Sequence, residues 1–444
     1  MPSNVSAPPV ADGRAGARGI ASSAYLLLVL TIVGTVNWAD RQVVPILLPG
    51  IQKDLGLNDT EAGVIAGLAF SLIYAISSFF FGYAADRFVR KYVIAGALVV
   101  WSLATMASGL ATDFWSLFAA RFFTGIGEAS LYPCALSLIA ERFEAASRGR
   151  ALGIFGAAAA MGSGFGVGLG GKLATSLGWQ KVFFIYGAAG FAVLPLLFLM
   201  REAPRPTATS KAEPTGTAIK EAFKDKRLRW LWACGTVAIA SGHGFGAWVP
   251  SYFVRDLGLD VTKAGALFGL SALLGGIVGG IVGGTLADRH RKLRVGGEFD
   301  VSAVAAFVGG ALVLGTLEAG PGGGSALGGL VATLAIYSIF PGLLAAMLSF
   351  APPHRHGVTG AINTLFLGGI GAATGPFVIG AASDGLHSLH AALYIPIAGL
   401  CVAGILAMRA GNVAREMEPA PPLTAPYRTT SPELTGSPPK RDVA

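Results

Sequence analysis

Two short stretches carry ionisable side chains where the surrounding sequence is otherwise apolar. TIVGTVNWADRQVVPILL (residues 31–48) places Asp40 beside Arg41, and RFFTGIGEAS (residues 121–130) contains Arg121 and Glu128. A charge near the middle of a bilayer costs at least ~2.5–3.5 kcal/mol on insertion scales, so such a residue has a partner or a task. A carboxylate can take up a proton, and a guanidinium can hold an anionic group. Arg121 and Glu128 are seven residues apart, two helical turns, and share nearly one face. Asp40 and Arg41 point about 100° apart on a helix and cannot both face one partner. One can be structural while the other faces a cavity. A static ion pair that only fixes helix packing is the competing reading.

Other chemistries find little support. Cys134, Cys234 and Cys401 are far apart and embedded in apolar sequence, which suits buried packing residues rather than a disulfide framework or metal site. The His354/His356 and His387/His390 pairs lie in loops with no supporting ligands. GVGLGGKL (residues 166–173) is one residue short of a phosphate loop. Leu173 stands where a magnesium-binding hydroxyl belongs, and no strand precedes it. Small-residue helix packing explains this and the other glycine runs in 162–171, 275–284 and 368–380. No catalytic constellation appears, so an enzyme is not expected, and neither is a cofactor or a metal.

The elements that must position the charges follow from composition. Of 444 residues, 53% are hydrophobic and 13% charged, with 63 glycines; the mean hydropathy is +0.61. Soluble proteins carry about 25% charged residues, so an all-α polytopic membrane protein is expected. Apolar spans of about 20 residues fall near 23–48, 61–84, 92–111, 115–140, 149–174, 181–200, 229–254, 264–287, 299–318, 326–350, 357–383 and 390–410. Residues 1–20 read as a disordered head and 411–444 as a disordered tail. Between them lie a six-helix bundle (21–200), a basic linker (201–228) and a second bundle (229–410).

Loop charge orients the chain. With the N-terminus in the cytoplasm, 26 of the 33 lysines and arginines fall on the cytoplasmic side and five outside. This positive-inside pattern places both termini in the cytoplasm of a multi-pass protein of the cell (inner) membrane. It also accounts for the net charge of +8 without nucleic acid. Trp101, Trp115, Trp179, Trp230 and Trp232 fall near span ends, as an interfacial belt requires. On this topology Asp40 lies about 6 Å and Arg121 about 10 Å above the midplane, with Glu128 near it. Asp40 and Arg121 are therefore expected to be neighbours.

The chain repeats itself. GLNDTEAG (56–63) and GYAADRFVRK (82–91) are echoed by GLDVTKAG (258–265) and GTLADRHRK (284–292), at a constant offset of 202 residues from Gly63, Gly82 and Asp86 to Gly265, Gly284 and Asp288. Two halves of six similar helices are the layout of a transporter. The segment Gly-x-x-x-Asp-Arg after the second span, and its copy after the eighth, resembles the signature loop of the major facilitator superfamily. The resemblance implies that fold and a gating role for Asp86, Arg87, Asp288 and Arg289; plain positive-inside anchoring is the bland alternative.

NWADR (37–41), IQKDLGL (51–57), GIGEAS (125–130), AERF (140–143) and Arg148 resemble more narrowly the Spinster branch of that superfamily, through most of the first half. Trp38 stands where animal members commonly have tyrosine. The resemblance implies alternating access around the first, fourth, seventh and tenth helices, and the branch is associated with export of lysophospholipids and sphingosine-1-phosphate. Its helix-1 Asp-Arg pair maps onto Asp40 and Arg41, and its helix-4 Arg and Glu onto Arg121 and Glu128. Those four charges form one polar wall. Trp38, and His243, Trp248, Tyr337 and Phe340 from the seventh and tenth spans, complete an expected substrate site whose second wall is aromatic and apolar. The expectation is a proton-coupled secondary transporter of an amphiphilic anion, working as a monomer in the bilayer, with protons as its other partner. Glu128 is the first choice of proton carrier and Asp40 the second. An organic-anion or sugar-phosphate symporter is the alternative.

Overall fold

The computed structural model describes residues 13–200, 202, 215–320, 323–352 and 355–417, and among these it contains helices and loops but no strand. The helices are α1 (Gly13–Leu55), α2 (Asp59–Arg87), α3 (Arg90–Ser108), α4 (Phe114–Arg142), α5 (Ala145–Leu177) and α6 (Trp179–Leu199), followed by α7 (Lys226–Arg255), α8 (Val261–Leu293), α9 (Gly297–Glu318), α10 (Leu327–Phe350), α11 (His356–Leu386) and α12 (Leu389–Met417). Among the described residues, eleven helices are long and apolar enough to cross a membrane. The twelfth expected span, α7, is 30 residues long but stands outside that set, with Lys226, Arg227, Arg229 and Arg255 at its ends. The helices overrun the apolar windows because terminal turns continue into the polar flanks.

Two boundaries differ from the sequence expectation. Residues 13–20, expected to be disordered, already belong to α1, and α12 continues to Met417. The rest of the head (1–12) and tail (418–444) lie outside the described residues. The linker contains a helix, Thr215–Lys224. It buries Ala218 and Ala222, one turn apart, and Phe223 sits 5.2 Å from the Trp232 ring. The tryptophan belt is also only partly realised. Trp115 is exposed, whereas Trp101, Trp179 and Trp232 are buried because they face neighbouring helices rather than lipid.

Local sequence explains where the helices begin and bend. Asp113 caps α4, accepting from the Ser116 amide at 2.8 Å while Ser116 answers in a capping box. The same amide holds the exposed Asp113 carboxyl below its ordinary range. Pro133 lacks the N–H that would bond the Ala129 carbonyl, and α4 breaks after Glu128 into Phe114–Glu128 and Leu131–Arg142. In α10 the break falls after Tyr337, with Pro341 in the next turn. Glu128 and Tyr337 thus end the first segment of corresponding broken helices.

Packing within each half runs α1 along α5, α3 along α6 and α4, and α12 along α7 and α9. The halves meet chiefly along two seams, α5 with α8 and α2 with α11. Glycine lets the backbones touch. A Cβ at Gly63 or Gly67 would collide with the carbonyl of Pro376 or Ala373, and one at Gly171 would sit 2.8 Å from the Val261 carbonyl. Both seams are tight at the end carrying residues 56–63 and 258–265. Toward the opposite, basic end they part: nothing lies within 4 Å of a Cβ at Gly82, Gly153, Gly280 or Gly360.

At the basic end one signature-loop residue has turned inward. Arg90 is 1% exposed; its Nε meets Glu202 at 2.7 Å, its Nη2 meets Glu141 at 2.5 Å and its Nη1 meets Ser137 at 2.8 Å. Glu202 also accepts the Arg90 and Lys91 amides, so the start of the linker caps α3. Neighbouring Arg87 is exposed and rests on the Tyr83 ring. Removing one partner of a buried pair costs about 3–5 kcal/mol, against about 0–1 for an exposed one. Arg90→Ala should therefore lower the thermal unfolding midpoint by several degrees in detergent, and Arg87→Ala should leave it nearly unchanged.

Candidate functional site

The charges of α1 and α4 form two pairs. Arg121 Nη1 lies 3.7 Å from Asp40 Oδ1, with both side chains 2% exposed, and Asp40 also accepts a hydrogen bond from the Thr105 hydroxyl of α3. Arg41 Nη2 reaches Glu128 Oε2 at 3.1 Å, and its Nε reaches the same oxygen at 3.3 Å. The expected Asp40–Arg121 neighbourhood is therefore present. The adjacent Asp40 and Arg41 point to different partners on α4, as their angular separation requires. Each acid of one helix is matched to an arginine of the other, so four charges balance within a few ångströms of the cavity.

The two pairs differ in access. Asp40 is sealed between α3 and α4. Arg41 is 14% exposed at the cavity wall, where its guanidinium lies over the rings of Trp38, Phe70 and Tyr74 at 4.7, 4.7 and 4.3 Å. Three π faces stabilise a cation out of water while leaving its edge open to an anion. The Arg121 guanidinium sits 5.2 Å from the centre of the same Phe70 ring, and Arg121 also lines the cavity. Trp38 is held by donating to the Tyr132 hydroxyl at 3.2 Å. Glu128 is fully buried and its Oε1 makes no hydrogen bond.

The cavity is about 210 Å³. Trp38, Arg41, Gln42 and Arg121 form its polar side, and His243, Tyr337, Phe245, Phe268 and Ile336 face them from the second half. Tyr337 of α10 and Ser163 of α5 both line the cavity, one from each half. Of the four charges expected to form one wall, Arg41 and Arg121 line the cavity and Asp40 and Glu128 are buried; of the second wall, His243 and Tyr337 line it and two residues stand elsewhere. Trp248 is fully buried and donates to the Pro376 carbonyl at 2.8 Å, so it ties α7 to α11. Phe340 packs against the core of the second half because it lies beyond the α10 break, which turns it from the cavity. Asp86, Arg87, Asp288 and Arg289 are all exposed at the parted basic end.

Sequence reading passed over Thr105, Phe70 and Tyr74, whose types are ordinary in apolar helices and gain meaning only beside Asp40 and Arg41. It also passed over Asp59, Arg255 and Asp384 at the far end. Arg255 Nη1 meets Asp59 at 2.6 Å, and Gln52 and Ser383 add bonds of 2.7 and 2.6 Å to the same carboxylate. The three free cysteines are buried or half-buried, and among the described residues no group of metal-ligating side chains occurs.

A bundle of membrane helices around a small charged cavity defines a membrane transporter. The model of the Major Facilitator Superfamily matches residues 30–376, and the chain belongs to that family, whose members are transporters rather than enzymes. Within it the likeness extends to the Spinster branch. Human protein spinster homolog 1 is 29% identical over 396 residues, covering 82% of this chain and 74% of that protein. An MFS-type efflux pump of Mycolicibacterium smegmatis is 30% identical over 263 residues, 59% of this chain and 61% of the pump, so the match spans less than two thirds of the pump's length. A hexuronate transporter of Bacillus subtilis is 30% identical over 258 residues, 56% of this chain and 61% of its own length. The crystal structure of a bacterial homolog of the human lysosomal transporter Spinster, inward-facing and unoccupied, shares the fold with TM-score 0.72 and 22% identity, covering 88% of this chain and 96% of that one.

The pairing makes a stability test possible. Arg121→Ala leaves Asp40 buried without its cation and should lower the unfolding midpoint by several degrees. The double variant Asp40→Asn/Arg121→Gln removes both charges and should recover most of that loss in the same thermal melt.

Proposed function

We propose that this transporter is proton-coupled and carries a substrate with an anionic head, bound by the Arg41 guanidinium at the cavity wall. The observation that carries the reading is the unequal setting of the two ion pairs. Asp40–Arg121 is closed in, whereas Arg41 holds Glu128 with one edge and presents another to the cavity. Protonating Glu128 releases Arg41 to take the substrate's charge, and deprotonation takes the arginine back. Proton and substrate occupancy are thereby linked. Asp40 and Arg121 keep the helices in register and hold the second positive charge beside the site.

Opposite the cations, Phe245, Phe268 and Ile336 offer apolar contact, which suits an amphiphilic anion of the lysophospholipid or sphingosine-phosphate kind. A second reading is favoured by size. A cavity of about 210 Å³ is below the ~300–1,000 Å³ usual for drug-sized ligands, and the hexuronate transporter among the relatives takes its name from a compact sugar acid. A compact organic anion would be enclosed whole, whereas an amphiphile would place its head there and leave its chain in the opening. Two six-helix units, 21–200 and 229–410, rocking about the cavity would expose it alternately to the two faces of the cell membrane. The signature-loop residues Asp86, Arg87, Asp288 and Arg289 would close the basic end, on the cytoplasmic side, in the opposite state.

The test is uptake into proteoliposomes under an imposed pH gradient, with lysolipids, sphingoid phosphates and sugar acids compared. Glu128→Gln should abolish gradient-driven accumulation while substrate exchange persists without a gradient. Accumulation that survives in Glu128→Gln contradicts the proton assignment. Sugar acids transported with lysolipids inert would decide for the compact anion.

A further inference from the structure

The Gly-x-x-x-Asp spacing of the signature segments at the ends of α2 (Gly82, Asp86) and α8 (Gly284, Asp288) is also found, among other places, at the far end of α11, as Gly380 and Asp384. The glycines of these three segments have different surroundings. A Cβ at Gly82 would meet nothing within 4 Å, and one at Gly284 only the Pro341 ring at 3.6 Å. A Cβ at Gly380 would collide with the Asp59 backbone, so α11 lies directly on the start of α2. From there Asp384 accepts the Asp59 amide at 3.1 Å, the Thr60 amide at 2.7 Å and the Thr60 hydroxyl at 2.5 Å. It caps a 29-residue helix of the other half.

The internal repeat supplies a comparison within the same molecule. At the pseudo-equivalent seam, Gly171 of α5 lies against the Val261 carbonyl at the start of α8, and Thr175 stands four residues on, where α11 has Asp384. The Thr175 hydroxyl donates to the Gly171 carbonyl of its own helix at 3.1 Å and accepts from the Thr262 hydroxyl at 3.0 Å, reaching no amide of α8. The acidic cap of α8 comes instead from the residue just before it, Asp260 accepting the Thr262 amide at 2.9 Å. In α2 the residue at the corresponding place, Asn58, takes only the Glu61 amide and leaves the first two amides to Asp384. In this structure α8 is capped by an acid of its own half, whereas α2 is capped by an acid of the other half.

We propose that Gly380–Asp384 is the latch of the closed far end, the opposite-end counterpart of the signature loops, and that the α2/α11 seam holds this state while the α5/α8 seam is the weak side. The latch is reversible because Asp384, Arg255 and the α2 amides lie at the water-facing end and are solvated when the halves part. Asp59 is held by Arg255 of α7 and Ser383 of α11, so a displacement of the second half that carries both helices releases both carboxylates. The inference rests on the alternating-access reading.

The test uses full-length protein in nanodiscs with Cys134, Cys234 and Cys401 replaced by alanine and spin labels at Lys181→Cys and Lys263→Cys, far-end positions in opposite halves. Asp384→Ala should raise the far-end-open population relative to closed about ten-fold, the equivalent of one charge-assisted hydrogen bond, and Thr175→Ala should change it less than about three-fold. The isosteric Asp384→Asn should shift the ratio in the same direction and keeps the test alive if the alanine variant does not fold. An Asp384→Asn distribution identical to that of the parent overturns the latch, as does equal opening by Thr175→Ala. A parent protein that shows only one population across pH and ligand conditions would instead sink alternating access itself.

Discussion

Four charges inside an apolar bundle constrain everything around them. No water is at hand in the hydrocarbon to solvate Asp40, Arg41, Arg121 or Glu128, so each must be neutralised by protein at close range. Because neighbours on a helix point about 100° apart, the Asp40–Arg41 pair cannot be satisfied by a single partner. It demands an acid and a base on the facing helix, separated along its axis, which the seven-residue interval from Arg121 to Glu128 provides. The pairing fixes α1 against α4, Thr105 brings in α3, and the aromatic rings of α2 close around Arg41. Four helices are located by one electrostatic requirement.

The same requirement makes the site responsive. A sealed pair is hard to perturb, whereas a pair with one edge in a cavity can exchange partners with anything anionic that enters. Arg41 is in the second situation because it lines the cavity between the halves, opposite residues of α7 and α10. Closing that cavity at one end relies on backbone contact at glycine, where even a methyl group would force the helices apart. Those contacts are apolar and weakly directional. The contacts of Asp384 and Arg255 with residues 59 and 60 add the direction, and they cross from one half to the other.

The transporter fold was legible because lipid leaves a chain few choices. Apolar length sets the spans, loop charge orders them, and a repeat at constant offset shows two related halves. The Asp40–Arg121 contact was legible too, since depth along a helix follows from rise per residue. Trp248 and Phe340 were misjudged because their identity suits either a cavity or a core. Which one they face depends on the break in α10 and on the hydrogen bond to Pro376. Asp384 was passed over because nothing near it in sequence marks it as a partner of residues 59 and 60.

By itself the sequence determined that helices span a bilayer, that α1 and α4 must bring opposite charges together, and that the halves are related. These follow from solvation and helical periodicity, which act locally along the chain. Only the tertiary structure decided which acid faces which arginine, which aromatic side chains surround Arg41, and which end of the molecule is shut. Those outcomes depend on contacts between segments as many as 325 residues apart, where packing and directional hydrogen bonds, rather than local pattern, select one arrangement.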